Sequence, residues 1–205
     1  MEINSSFAIL GGSFNPIHSG HIEMAVQAHE EFGLDNIIIM PNKTTYYKES
    51  QVFVSDEHRL NMIELAAEDY PYMSVSKMEI ERGGVTHTID TIREFKKLYP
   101  GIRPYFIIGG DSLEWIDKWV EGPELLKIIT VLTAIRGTTD RAKSEMIIER
   151  LESEYEGARL HILDMDENPV SSSEIRERRK AGLSIHGMVP EKVEEYIIKN
   201  SLYIS

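Results

Sequence analysis

Cysteine is absent from this sequence of 205 residues. Its absence excludes disulfides, thiolate catalysis and cysteine-ligated zinc, and because it fits a reducing compartment we expect a cytoplasmic protein. Long apolar runs are missing too: the run over residues 36–40 is strand-sized, whereas a membrane span requires roughly 20 apolar residues. The N-terminus has no basic region followed by a long apolar run, so we expect the first strand of the fold there and no signal peptide.

A basic surface is the third missing feature. The chain has 22 Lys and Arg against 34 Asp and Glu, which gives a formal net charge of −12. Proteins that bind nucleic acid usually present a broad basic face that releases counterions, and the sequence has no stretch of that kind. We therefore expect neither a nucleic-acid nor a membrane partner, and a phosphate ligand would need a locally positive pocket.

Short β-branched runs alternate with helical patterns along the chain, which indicates a parallel sheet wrapped by helices. Strands are predicted near residues 6–10, 37–40, 73–76, 105–108, 130–135 and 159–163. Helices are predicted over about residues 20–32 and 141–155, around 89–95, and from about 55, 171 and 190 onward. No linker or repeat interrupts this alternation, so we expect one α/β domain over residues 1–205, a Rossmann-like doubly wound parallel sheet with helices on both faces.

The loop after the first predicted strand, residues 11–21, reads Gly-Gly-Ser-Phe-Asn-Pro-Ile-His-Ser-Gly-His. It lies at the carboxyl edge of the sheet, where α/β proteins bind ligands. Glycines there allow backbone N–H groups to approach a phosphate. His18 and His21, three positions apart at the helix start, can face one point and add donors to the positive end of the helix dipole. The loop predicts a phosphate site, and it is no Walker loop because no Gly-Lys-Ser/Thr follows.

Two further segments carry chemistry. Residues 171–174, Ser-Ser-Ser-Glu, form a capping-box pattern followed by Arg176, and hydroxyls at a helix N-terminus with a guanidinium suit a triphosphate. Asp111 follows an apolar strand and two glycines, so it can accept from a ribose hydroxyl or reach magnesium through water. Plainer alternatives stay open here: an N-cap with a surface arginine, and a turn aspartate.

The first loop resembles the nucleotide-binding loop of the nucleotidylyltransferase superfamily, which shares a His-x-Gly-His element with class I aminoacyl-tRNA synthetases. Residues 171–176, Ser-Ser-Ser-Glu-Ile-Arg, are similar to the Ser-Ser-Thr-x-Ile-Arg signature with which that superfamily holds ATP phosphates. The resemblance implies catalytic contacts from His18, His21 and Arg176. It implies ATP binding by Gly11, Gly12, Ser13, Phe14, His21, Gly109, Asp111, Ser172, Ser173 and Arg176.

Segments between these motifs narrow the resemblance to bacterial nicotinate-nucleotide adenylyltransferases. Residues 82–91, Arg-Gly-Gly-Val-Thr-His-Thr-Ile-Asp-Thr, resemble the element that holds the pyridine end of the acceptor. Residues 106–113 and then Trp119 are similar to the family's Gly-x-Asp strand end and stacking tryptophan, and residues 189–197 and 202–203 also look like the family. The resemblance implies that the mononucleotide is bound by Asn15, His18, Lys48, Thr86, His87, Trp119 and Arg136.

The sequence departs from the family pattern at four places. Asn15 stands where many members carry Asp, and His87 stands where Tyr is usual. Residues 43–48, Lys-Thr-Thr-Tyr-Tyr-Lys, replace a Pro-Pro-His-Lys ending, so Lys48 alone carries over. Ser173 replaces Thr and keeps the hydroxyl.

The resemblance implies an enzyme of NAD biosynthesis that transfers AMP from ATP, with Mg²⁺, to nicotinate mononucleotide and releases pyrophosphate. It also implies a homodimer or larger homo-oligomer, and no dedicated protein metal site is predicted. The alternatives are a nicotinamide-mononucleotide or phosphopantetheine adenylyltransferase and a non-catalytic ATP sensor. A tRNA ligase is disfavoured, because the chain lacks room for an anticodon-reading domain and lacks a Lys-rich second signature.

Overall fold

One parallel sheet organises the described part of the chain, which in this computed structural model comprises residues 6–43, 54–135, 137–166 and 168–204, with 137–140 described by backbone alone. Its order is β3-β2-β1-β4-β5-β6, and all neighbouring strands run parallel. The direction of winding reverses between β1 and β4, and at such a switch point a crevice opens at the carboxyl ends of the strands. The strands are β1 (Phe7–Gly12), β2 (Asn36–Pro41), β3 (Met73–Val75), β4 (Tyr105–Gly109), β5 (Thr130–Ala134) and β6 (Leu160–Ile162).

Helices cover both faces of this sheet. Alternate β1 residues enter opposite apolar clusters: Ala8 and Leu10 pack in one and Ile9 in the other, as expected when both faces of a parallel sheet are buried. The helices are α1 (Ser19–Phe32), α2 (Asp56–Ala67), α3 (Met78–Arg82), α4 (Thr88–Leu98), α5 (Gly110–Leu113), α6 (Gly122–Ile128), α7 (Gly137–Glu154), α8 (Ser172–Lys180) and α9 (Glu191–Lys199), with a 3-10 turn at Ile116–Lys118. The predicted α/β, Rossmann-like, doubly wound architecture is confirmed.

Helix ends follow the capping residues of the sequence. Gly33 ends α1 in the left-handed region at φ 58°, where a residue without Cβ is unstrained. The Ser55 hydroxyl accepts the His58 N–H at the start of α2, and the Ser171 hydroxyl accepts the Glu174 N–H at the start of α8. These bonds satisfy backbone donors that a helix start leaves without an intrahelical partner. The predicted helix starts near residues 55 and 171 are confirmed.

Some helices differ from the prediction. The short helices α3, α5 and α6 were not predicted, because too few residues are present to show a helical period. Helix α7 begins at Gly137, earlier than the predicted residue 141. No described helix has the length and apolar character needed to cross a bilayer.

Candidate active site

The first loop leaves β1 at the centre of the sheet, beside the switch point. Gly12 is the last residue of β1, and Phe14 adopts a left-handed backbone with φ 45°, which is uncommon for a residue with a side chain. A Cβ on Gly12 would lie 3.0 Å from the Phe14 ring. The glycine therefore makes room for a buried aromatic side chain, a reason that the sequence pattern did not reveal.

His18 and His21 lie together at the start of α1, as their spacing predicts. Their ring centroids are 3.7 Å apart. The His18 backbone N–H donates to His21 Nδ1 at 3.2 Å, so in the neutral ring the proton of His21 is on Nε2. His18 is buried and lines a cavity at the carboxyl ends of the strands. The pair therefore brings imidazole groups to the positive end of the α1 dipole.

The start of α8 packs directly on the first loop. The Ser172 hydroxyl donates to the Pro16 carbonyl oxygen at 2.8 Å, and the Arg176 guanidinium donates to the Asn15 carbonyl oxygen at 2.8 Å. Arg176 also donates to Ser173 Oγ at 3.1 Å. The two motifs, far apart in sequence, thus meet in one structure with two helix N-termini and a guanidinium beside the histidine pair.

Asn15 is held inside the protein. Its side chain is buried, and its Oδ1 accepts from the Tyr203 hydroxyl at 2.9 Å and from the Val54 N–H at 3.4 Å. Burial raises the pKa of Tyr203, although the nearby charges of Arg176 and Arg59 act in the opposite direction. Tyr203 therefore stays protonated and keeps its donor. An acidic residue, which the family often has at position 15, could accept the same hydrogen bond.

A cavity of about 220 Å³ opens beside His18 at the carboxyl ends of β4 and β5. It reaches Gly109 and Asp111, two residues predicted to bind ATP, and its apolar wall includes Ile135, Ile147 and Met165. An apolar wall with a few polar groups at the rim suits a flat base carrying a ribose. The cavity lies between the described carboxyl ends of the strands and the segment that leads into α8.

Of the residues predicted to bind the acceptor, His18 lines this cavity, whereas Thr86, His87 and Trp119 are not among its described lining residues. His87 is the N-cap of α4, and the hydroxyl of Thr86 is buried without a hydrogen-bond partner among the described residues. Trp119 is half-buried and packs edge-on against Phe106, with ring centroids 6.4 Å apart. Phe106 belongs to β4, so the tryptophan sits next to the central strands of the sheet. Lys48 and Arg136, also predicted for the acceptor, lie outside the described residues.

Two residues that hold the site together were not predicted, Arg59 and Tyr203. Arg59 is 1% exposed and donates to the Ser13 carbonyl oxygen at 2.6 Å. Its position on α2 offered a signal, because it precedes the buried Met62 and Ile63 by three and four residues and so shares their helix face. Leu60, which recurs at helical spacing with Ile63, is only half-buried. Tyr203 stands in a segment that resembles the family, but no residue near it in sequence pointed to a contact with Asn15.

Acidic and histidine side chains do not form a dedicated metal site in the part of the chain that is described: no group of three or more could hold an ion. Magnesium is commonly bound by only one or two carboxylates together with substrate phosphates. Asp111, at the rim of the cavity, fits that kind of binding. The donor set is therefore compatible with a magnesium ion that arrives with a nucleotide.

Comparison with known proteins gives consistent matches over nearly the whole chain. The model of the cytidylyltransferase-like family matches residues 9–178. A probable nicotinate-nucleotide adenylyltransferase of Lachnoclostridium phytofermentans is 41% identical over 196 residues, covering 96% of this chain and 98% of the relative. A probable nicotinate-nucleotide adenylyltransferase of Carboxydothermus hydrogenoformans is 37% identical, covering 97% and 98%.

Among solved structures, the chain is similar in fold to the Plasmodium falciparum nicotinic acid mononucleotide adenylyltransferase complexed with NaAD. The TM-score is 0.76 at 22% sequence identity, and 98% of each chain is covered. At this identity the likeness concerns the fold alone. The family follows from the sequence matches: the chain belongs to the cytidylyltransferase-like family and, within it, to the nicotinate-nucleotide adenylyltransferases.

Proposed function

We propose that this enzyme transfers the adenylyl group of ATP to nicotinate mononucleotide, giving nicotinate adenine dinucleotide and pyrophosphate in NAD biosynthesis. Family membership supports the reaction. The observation that carries the proposal in this chain is the packing of Ser172 and Arg176 on the loop of residues 15–16. That packing brings two helix N-termini, a guanidinium and two imidazoles to one edge of the sheet, and such groups suit a bound triphosphate.

The reaction needs no side chain to activate its nucleophile. A phosphomonoester has a second pKa near about 6, so at neutral pH the acceptor phosphate is already largely dianionic. One of its oxygens attacks the α-phosphorus of ATP, and the bond from that phosphorus to the oxygen bridging to the β-phosphate breaks. The bridging oxygen leaves with pyrophosphate. Catalysis then depends on positioning and on neutralising charge at the phosphoryl oxygens.

The histidine pair and Arg176 supply donors for that task. With Nδ1 of His21 accepting a backbone N–H, its Nε2–H is the donor that we assign to an ATP phosphate, and we assign His18 to the neighbouring phosphate oxygens. Arg176 has five N–H groups, and its bonds to Asn15 and Ser173 leave donors for the departing pyrophosphate. The donors are held before ATP binds, so little reorganisation is required during the reaction.

Magnesium would be held mainly by the ATP phosphates, with Asp111 reaching it through water, and when bound it would offset their negative charge. The adenine and ribose are assigned to the 220 Å³ cavity beside His18, and accepting a hydrogen bond from a ribose hydroxyl is the alternative role of Asp111. Its apolar wall excludes water from the face of the base. Gly11, Gly12, Ser13 and Phe14 remain assigned to the phosphates.

The acceptor is assigned to the other side of the crevice. The Thr86 hydroxyl, which has no partner among the described residues, and the backbone N–H groups at the start of α4 would bind the pyridine carboxylate. Trp119 would stack on the pyridine ring. Asn15, His18, Lys48, His87 and Arg136 complete the predicted acceptor set, and a homo-oligomer remains the expected assembly.

The test measures pyrophosphate release from ATP and Mg²⁺ with three acceptors in parallel: nicotinate mononucleotide, nicotinamide mononucleotide and phosphopantetheine. We expect nicotinate mononucleotide to give the highest kcat/KM. A preference for either of the others would overturn the substrate assignment and leave the adenylyl transfer intact. ATP binding without acceptor-dependent pyrophosphate release would contradict the enzymatic proposal and support an ATP sensor.

A further inference from the structure

Arg59 is a cation buried beneath the nucleotide loop. Its side chain is 1% exposed. The chain has a net charge of −12, so a buried cation is an unusual feature of it. Burying a guanidinium costs free energy unless its donors are satisfied. Its partners therefore indicate what the residue stabilises.

Two of the described partners lie in the loops that follow the adjacent strands β1 and β2, and a third lies on α2 itself. Arg59 Nη1 donates to the Ser13 carbonyl oxygen at 2.6 Å, just after β1. Its Nη2 donates to the Asn42 carbonyl oxygen at 2.7 Å, just after β2, and to Asp56 Oδ1 at 2.6 Å. One planar guanidinium thus joins the loop after β1 to the loop after β2. A lysine ammonium on a flexible side chain cannot make these bonds with the same geometry.

The carbonyl that Arg59 holds lies next to the strained residue of the loop. Phe14 has φ 45°, and the carbonyl groups of Ser13 and Asn15 on either side of it are held by Arg59 and Arg176 respectively. A left-handed residue in such a turn costs free energy that surrounding contacts must offset. Holding these carbonyl oxygens constrains the peptide planes of the loop, and with them the directions of its N–H groups, which form anion-binding nests in loops of this kind.

We propose that Arg59 is a positioning residue that orients the backbone N–H groups of residues 13–15 toward the phosphates of ATP. The inference rests on the proposed ATP site. It assigns to α2, an element without a predicted ligand contact, control over the geometry of the phosphate loop.

The carboxylate of Asp56 helps to fix the position of the Arg59 guanidinium. Asp56 pairs with both Arg59 and Lys43, so its carboxylate holds the Arg59 guanidinium from the side of α2. Burial raises the pKa of the Asp56 carboxyl, but hydrogen bonds from Lys43 and Arg59 outweigh that effect and lower it. Asp56 is therefore ionised at neutral pH and keeps its hydrogen bond from Arg59.

The test compares R59K with R103K. Arg103 also donates to backbone carbonyl oxygens, those of Leu126, Ile129 and Gly157. It precedes β4 and so lies at the amino ends of the strands, whereas the first loop lies at their carboxyl ends. Both variants are assayed at least about 10 °C below their measured Tm, so that loss of folded protein does not contribute. We expect R59K to lower kcat/KM for ATP by about tenfold or more, chiefly through KM for ATP, since small misplacements of positioning groups cost rate heavily.

The ratio of the two effects decides the outcome. A loss in R59K at least about fivefold greater than in R103K supports the proposal, and any smaller difference overturns it. Wild-type turnover tests the proposed function separately. If the wild type binds ATP without turnover, the same ratio is applied to Kd for ATP from calorimetry.

If R59K does not fold, D56N replaces it, with E57Q as its control. Asp56 and Glu57 both lie in the first turn of α2 and contribute similarly to the helix dipole, whereas Asp56 contacts Arg59. We then expect D56N to lower kcat/KM for ATP at least about threefold more than E57Q. Any smaller difference between D56N and E57Q would overturn the proposal.

Discussion

Arg176 and Asn15 are 161 positions apart in the chain, and the guanidinium of Arg176 donates a hydrogen bond of 2.8 Å to the Asn15 carbonyl oxygen. The same guanidinium bonds to Ser173 in its own helix. Arg176 therefore connects the start of α8 to the loop that follows β1. A residue expected from its motif to contact phosphate also shapes the loop that would bind the phosphate.

The double role of Arg176 predicts a large effect of R176K. A lysine keeps the charge but lacks the planar fork that bonds to two groups at fixed angles. We expect kcat/KM for ATP to fall by roughly 10- to 100-fold, the loss typical of a displaced charge-stabilising donor. Steady-state kinetics with R178K as the control checks this, because Arg178 is in the same helix but donates to the Ser184 carbonyl oxygen. Equal effects of both variants would contradict a specific role of Arg176.

The histidine pair predicts that H18A lowers kcat by roughly 100-fold or more, because a donor to a charged phosphoryl oxygen is removed. Single-turnover measurements at saturating ATP separate this effect from weaker binding. H186A is the control, since the His186 side chain is 83% exposed and pairs with Glu194 on the surface. Unchanged turnover in H18A would remove His18 from the mechanism.

The assignment of Trp119 to the pyridine ring predicts a selective effect on the acceptor. W119L keeps apolar bulk against Phe106 but loses the flat indole face, so KM for nicotinate mononucleotide should rise about 3- to 10-fold. KM for ATP should stay unchanged. The matched control is W115L, because Trp115 is 61% exposed. A rise in KM for ATP alone would show that Trp119 contacts ATP and not the acceptor.

Glu79 predicts a pH dependence of stability. Burial raises the pKa of Glu79, although a hydrogen bond from Thr91 and the charge of Arg82 act in the opposite direction. The folded state thus binds this proton more tightly than the unfolded state does. The stability contributed by Glu79 is therefore present below its ordinary value of 4.5 and is lost as pH rises through the raised folded pKa.

The variant E79Q has no titrating group at this position, so its free energy of unfolding does not fall with rising pH for this reason. We expect the free energy of unfolding of the wild type to fall relative to that of E79Q as pH rises above 4.5, measured by urea unfolding. E81Q, at an exposed position of the same helix, controls for the removal of one charge from α3. A wild type that gains stability over E79Q as pH rises would show that the sign is wrong.

Much of the fold could be predicted because its signals are local. The central predicted strands are apolar runs, and Ser55 and Ser171 cap helices through hydrogen bonds from residues three positions ahead. The pairing of His18 and His21 follows equally from their spacing on one helix turn. In contrast, α5 and α6 are too short to show a period, and their packing on the sheet decides their conformation.

The candidate site was predictable only in its parts. The motifs at residues 11–21 and 171–176 were recognisable separately, but their contact depends on strand order, since parallel strands bring distant loops to the same edge of a sheet. Tyr203 shows where prediction from sequence ends. Its hydroxyl donates to Asn15, 188 positions away, and no residue near Tyr203 in sequence predicts that contact.

By itself, the sequence determined the secondary structure, the family motifs and the residue types that a triphosphate requires, because these depend on neighbours within one or two helical turns. Only the tertiary structure decided which distant groups hold the first loop: Arg59 from α2, Arg176 from α8 and Tyr203 from the C-terminal segment. The physical reason is that buried carbonyl and amide groups must be satisfied by whichever donors the packed elements bring within about 3 Å. Which donor satisfies a given buried group depends on the distances in the folded chain, and the separation of the two residues along the sequence does not predict it.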